Sequence, residues 1–128
     1  MAWSYDPENV FAKILRGEIP NRTVFENEHA LAFEDLRPQA PVHVLVIPKG
    51  PYVSMDHFAA EASEAEIAGW VRAIGEVTRI TGASVSGEVG GGGFRVISNA
   101  GADAVQEVPH LHVHVVGGRA LGRILPEG

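Results

Sequence analysis

Pro109-His110-Leu111-His112-Val113-His114-Val115-Val116 alternates histidine with an apolar residue three times in succession. A period of two marks an extended strand, whose successive side chains point to opposite faces. The stretch therefore predicts a strand with His110, His112 and His114 on one face and Leu111, Val113 and Val115 on the other. Neighbouring imidazoles on that face start about 6.5–7 Å apart, from the strand rise. The apolar side can enter a core, while the other side becomes a row of groups that titrate near neutral pH. Half of the chain's six histidines fall within these five positions, which separates the row from chance composition.

Three kinds of chemistry suit such a row. It could be the wet face of an edge strand. A His-x-His pair could instead give zinc two ligands, with His43 or a carboxylate as the third, since the chain has no Cys. In the third, one neutral imidazole attacks as a nucleophile while its neighbours set its tautomer and receive anionic charge.

The 128 residues suit one compact domain, 1–128, able to bury a core without staples. Apolar residues at 45% and charged residues at 20% are globular rather than disordered composition. A formal charge of −6 argues against general affinity for nucleic acid or an anionic membrane. A local cluster of donors can still hold a small phosphate on an acidic protein. Without Cys there are no disulfides, which fits a reducing cytosol. Met1-Ala2-Trp3-Ser4-Tyr5-Asp6 lacks the basic start and apolar run of a signal peptide. No window approaches the roughly 18 apolar residues of a membrane span. The expectation is a soluble, cytoplasmic protein.

Ahead of the row, Asp6-Pro7-Glu8 predicts a helix opening, with Val10, Phe11, Ile14 and Leu15 on one face and Gly17 as its end. Strands are expected over Thr23–Asn27, Ala30–Leu36 and Val42–Ile47, the last stopping at Pro48. Lone His43 in that apolar run reads as a hydrogen-bonded structural histidine. Ser63-Glu64-Ala65-Glu66 is a capping box, and Ile67, Trp70, Val71, Ile74 and Val77 mark one face of a long helix ending at Thr81-Gly82. The glycines from Gly87 to Gly93 are followed by a strand and lack the Lys-Ser/Thr of a phosphate loop, so a flexible connection is expected. Phe94–Asn99 is the next strand, and an irregular segment, 100–108, leads to the histidines. The fold class is α+β, an antiparallel five-stranded sheet with one long and one short helix.

His110-Leu111-His112-Val113-His114-Val115-Val116 resembles the His-φ-His-φ-His-φ-φ motif of the histidine triad superfamily, φ being apolar. Gly117-Gly118-Arg119 is more similar to the Hint-like branch, the histidine triad nucleotide-binding proteins. The likeness continues through Phe11-Ala12-Lys13-Ile14-Leu15-Arg16-Gly17-Glu18-Ile19-Pro20, through Ala32–His43, and through Leu45-Val46-Ile47-Pro48-Lys49.

The resemblance implies a homodimeric hydrolase of purine nucleoside phosphoramidates, with no metal or cofactor and with a purine nucleoside monophosphate as product. His112 would attack the α-phosphorus, His114 would donate to the phosphate oxygens, and His110 would support the geometry. Asp35 would bind the ribose hydroxyls and Asn99 the phosphate and leaving group. Backbone amides around Val105 and Glu107 would complete the anion cradle, and Val10, Phe11, Ile14, Phe33 and Leu36 would wall the base. Two positions depart from the family pattern. Pro51 or Tyr52 stands where many relatives carry a histidine after Pro48-Lys49, and Glu107 stands where some have Ser. The Glu107 side chain is expected to turn away from phosphate. His57 is left without a role. Two alternatives stay open: a dinucleoside polyphosphate hydrolase or nucleotidyl transferase of the same superfamily, and a nucleotide-binding interaction protein.

Overall fold

Residue 44 of the third strand points one way and residue 45 the other, and both are buried. That pattern defines a sheet covered on two sides. The computed structural model describes residues 3–126. Helix α1 (Val10–Leu15) precedes strands β1 (Thr23–Glu26), β2 (Ala30–Glu34) and β3 (Val42–Pro48). Helices α2 (Met55–Glu61) and α3 (Glu64–Ile80) follow, then β4 (Phe94–Ile97) and β5 (Val113–Gly117). The five strands are antiparallel in the order β1-β2-β3-β5-β4. On one side Val44, Val46, Leu111, Val113 and Val115 pack with Phe58 of α2 and with Trp70, Ala73 and Val77 of α3. On the other Leu31, Phe33, Leu45 and Ile47 pack with Phe11 of α1. The histidine row lies on this second side, because Leu45 pairs with His114.

The capping box forms as expected: Glu66 N–H donates to Ser63 Oγ at 3.1 Å, and Ser63 N–H to Glu66 Oε1 at 3.0 Å. Val71, however, is 54% exposed and does not share the buried face of α3. Helix α1 starts later than Asp6-Pro7 suggested. The Asp6 carboxylate accepts from Glu8 N–H instead, and Asn9 is the cap, accepting from Ala12 N–H at 2.9 Å. Both strands flanking the site loops are shorter than expected, β2 ending at Glu34 and β4 at Ile97. Helix α2 had no periodic signal to announce it, being one short stretch in which Phe58 is the sole large core residue.

The largest departure concerns the histidine row. The ladder begins only at Val113, so His110 and His112 precede β5 rather than lie in it. The reason is where the backbone groups go. Leu111 N–H donates to Tyr52 O at 2.8 Å, and His110 N–H to Val108 O at 2.9 Å. The carbonyls of Pro48 and His110 are occupied by imidazole nitrogens. Alternation survives this release, with Leu111 and Val113 in the core opposite the histidines.

The glycine segment, expected as a flexible connection, is tied to the exit of α3. Gly91 N–H donates to Ser84 O at 2.8 Å and Gly93 N–H to Ala83 O at 3.0 Å. A Cβ at Gly91 would meet Gly82 O at 2.1 Å, whereas one at Gly92 meets nothing within 4 Å. Gly91→Ala should therefore cost about 1–3 kcal/mol by overpacking, and Gly92→Ala should be neutral or slightly stabilising. Urea denaturation of the two variants checks this, and equal midpoints would contradict it.

Candidate active site

His112 is 6% exposed, and its Nδ1 lies 2.8 Å from the His110 carbonyl oxygen. A carbonyl only accepts, so Nδ1 carries the ring proton. The neutral ring then has its lone pair on Nε2. The backbone that left the ladder thus chooses the tautomer of the residue two positions on.

His114 is set by a different chain of bonds. Gln39 N–H donates to His43 Nδ1 at 3.0 Å, so the His43 proton is on Nε2. That Nε2–H donates to His114 Nδ1 at 2.9 Å, leaving His114 with a proton on Nε2. The Asp35 carboxylate stands 3.4 Å from the same His43 nitrogen. His110, with no exposed surface, donates from Nε2 to Pro48 O at 2.8 Å and accepts from the Tyr5 hydroxyl at 2.6 Å.

Burial holds all three imidazoles neutral. It is the first cause in each case. His110 is pushed down to about 4, with the charge of His112 adding to the effect and its bond to Pro48 opposing it. His114 is also pushed down to about 4, by burial and then by His112 and His43. His112 is lowered too, while its bond to the His110 carbonyl and the charges of Asp35 and Glu107 pull the other way.

His112 and His114 share a cavity of about 280 Å³ with Phe11, Asp35, Asn99 and Val105. A hollow of about 460 Å³ adjoins it, lined by Val10, Ile14, Phe33 and Leu36 among others. Leu36 is 90% exposed and so stands on its rim. Every residue given a site role by the family resemblance lines one of these two spaces except His110, which is fully buried. Glu107 lines both. Its negative charge favours the protonated form of His112, against the effect of burial. The Val105 N–H donates to Ala102 O, so it is not a free cradle donor. Among the described residues none accepts from Glu107 N–H. Val105 itself has φ 56°, a strained conformation for a β-branched residue, at the lip of the cavity.

His43 is a hydrogen-bonded structural histidine, as its place in the apolar run implied, and it is also the group that orients His114. Finding it needed the register, in which His43 pairs with Val116, diagonal to His114. Tyr52 does not reach the cavity; its hydroxyl donates to Glu66, and burial together with that carboxylate pushes it up to about 12. His57 is buried under Trp3 and accepts from Val53 N–H. Asp35, His43 and His114 offer ligand atoms within 4.8 Å of one another. They do not fit a metal as arranged, because the His43 nitrogen facing the group carries a proton. Freeing it would turn Nδ1–H against Gln39 N–H.

A sheet of this topology bearing a buried, tautomer-fixed histidine row at the edge of a cavity defines a histidine triad domain. The chain belongs to the HIT family: the HIT domain model matches residues 16–121. It is 61% identical to an uncharacterized 13.2 kDa HIT-like protein of Azospirillum brasilense over the full length of both. A HIT family hydrolase from Legionella pneumophila superposes with TM-score 0.73 at 33% identity, covering 88% of this chain and 95% of that one. A histidine triad nucleotide-binding protein from Candida albicans superposes with TM-score 0.78 at 26% identity, covering 94% and 85%.

The depressed pKa values predict acid sensitivity. The unfolded chain binds protons near pH 6.5 that the folded chain refuses until about pH 4. The histidine contribution to stability should be level above pH 6.5 and fall as pH drops from 6.5 towards 4. His110 alone contributes about 3 kcal/mol to that fall. Urea midpoints at pH 7.5 and pH 4.5 measure it, and a flat profile across that window would contradict the burial argument.

Proposed function

We propose that the chain hydrolyses purine nucleoside phosphoramidates through His112. The observation that carries this is the His112 tautomer: Nε2 has the lone pair, in a cavity shared with Asp35, Asn99 and His114. Nε2 attacks the α-phosphorus, the P–N bond to the amine breaks, and a nucleotidyl-histidine forms. The amine takes its proton from water, since His114 is neutral at pH 7 and donates a hydrogen bond rather than a proton. Water then attacks phosphorus, the bond to Nε2 breaks, and the monophosphate leaves with His112 restored. His114 Nε2–H and Glu107 N–H face the phosphate oxygens, where negative charge is held.

The apolar hollow of Val10, Phe11, Ile14, Phe33 and Leu36 takes the purine. Asp35 accepts from the ribose hydroxyls with the oxygen lone pairs left after its bond from Arg37 N–H. The similar Legionella pneumophila hydrolase and Candida albicans nucleotide-binding protein support this reading. Gly117-Gly118-Arg119 favours the Hint-like branch, with Arg119 donating to Gln39 O beside the site. A homodimer would continue the sheet through β4, one of its two outer strands, whose Phe94 and Val96 are about two-fifths exposed. The alternative of a nucleotide-binding interaction protein is favoured by one fact. The group after Pro48-Lys49 is a tyrosine bonded to Glu66, so no side chain there can assist the departing amine.

The test assays adenosine phosphoramidate and a dinucleoside polyphosphate side by side in EDTA. Turnover of the first, kept in chelator and lost in His112→Ala, is expected. Asp35→Asn should raise KM about 10- to 100-fold with far less effect on kcat. Tight adenosine monophosphate binding without turnover would establish the interaction protein instead, and loss of activity in EDTA would overturn the metal-independent mechanism.

A further inference from the structure

We propose that Tyr5 is a positioning residue for the nucleophile, acting through His110. The inference rests on the reading of His112 as the attacking group. Tyr5 lies upstream of the residues 16–121 that carry the family match, and no periodicity marks it.

A fully buried imidazole needs partners for both nitrogens. His110 Nε2 must be the donor, because the group it meets is the Pro48 carbonyl. Its Nδ1 is then a lone pair, and the Tyr5 hydroxyl, 2.6 Å away, supplies the proton that satisfies it. The two bonds clamp the ring from opposite edges and hold one tautomer. The backbone carbonyl of the same residue takes the His112 Nδ1–H. A ring that turned, or a proton that moved to Nδ1, would give up Pro48 and shift the peptide on which the His112 tautomer depends. His112 with its proton on Nε2 has no lone pair to offer phosphorus.

The segment that carries Tyr5 is held on both sides of it. The Trp3 indole lies parallel to the His57 ring at 4.9 Å and 8°, and its Nε1–H donates to Asp56 at 3.2 Å. After Tyr5, the Asp6 carbonyl accepts from the Asn9 amide at 2.7 Å, next to the cap of α1. The strap thus runs from α2 to α1 with Tyr5 between its two anchors. Tyr5 also meets the His110 ring edge-on, at 5.5 Å between centroids.

Tyr5→Phe keeps that ring contact and removes only the hydroxyl. Imidazole nitrogen NMR at pH 7 reads the tautomers directly, with no substrate present. In the wild type His110 should show a protonated Nε2 and an acceptor Nδ1, and His112 the reverse. Tyr5→Phe should abolish the single His110 pattern and give His112 a measurable Nε2–H population. With adenosine phosphoramidate, kcat should fall about 10-fold and KM stay within about 2-fold, as for one lost hydrogen bond felt only in the attack. Unchanged nitrogen shifts and an unchanged kcat in the variant would make Tyr5 a chain anchor and overturn the proposal. So would a wild-type His110 protonated on Nδ1, whatever the variant does. A wild type that hydrolyses no phosphoramidate would sink the proposed reaction, while the NMR comparison would still decide the positioning.

Discussion

The hydrogen bond from His112 Nδ1 to the His110 carbonyl is the constraint on which the site depends. A carbonyl oxygen cannot donate, so one short contact removes a two-fold ambiguity that solution histidine always has. The chain makes the carbonyl available by leaving the β-ladder before Val113. Had the ladder extended back to His110, its backbone groups would have been drawn into pairing with β3. Instead the Tyr52 and Val108 carbonyls accept from the Leu111 and His110 N–H groups, the His110 carbonyl accepts from the His112 ring, and the backbone becomes part of the site.

A second constraint comes from burial on both faces. Burying polar rings without partners would be costly, and the described residues include no buried side-chain nitrogen or oxygen left unpaired. Each histidine accordingly has its own acceptor or donor: Pro48 and Tyr5 for His110, a backbone carbonyl for His112, and His43 for His114. Neutrality follows from the same burial that requires these partners. The apolar positions between the histidines anchor the segment into the core against α2 and α3, so the row cannot rotate. Packing on one face therefore sets aim on the other.

Much of this could be read before the fold was seen, and the reasons are local. Period-two alternation marked a strand over the histidine row, of which the part from Val113 onward forms, and a capping box marked the start of α3, because both signals lie within a few residues of chain. The cavity residues were legible through family motifs rather than through spacing. Asp35 and Asn99 come from different segments, and nothing local says that they meet His112. What escaped was non-local or lacked a pattern. The ladder's late start depends on Tyr52, far away in sequence. His43 gains its role only through sheet register. Helix α2 offered too few apolar positions to show a period, and Tyr5 acts through a bond to a residue 105 positions away.

The proposed hydrolysis requires His112 Nε2 to bond to phosphorus during turnover. Rapid quenching of the enzyme with adenosine phosphoramidate, followed by digestion under conditions that preserve phosphohistidine and by mass spectrometry, tests it most directly. An adenylyl group is expected on the peptide holding the triad, fragmenting to His112 and absent from His110 and His114. Turnover with no protein adduct, or an adduct on any other residue, would contradict it.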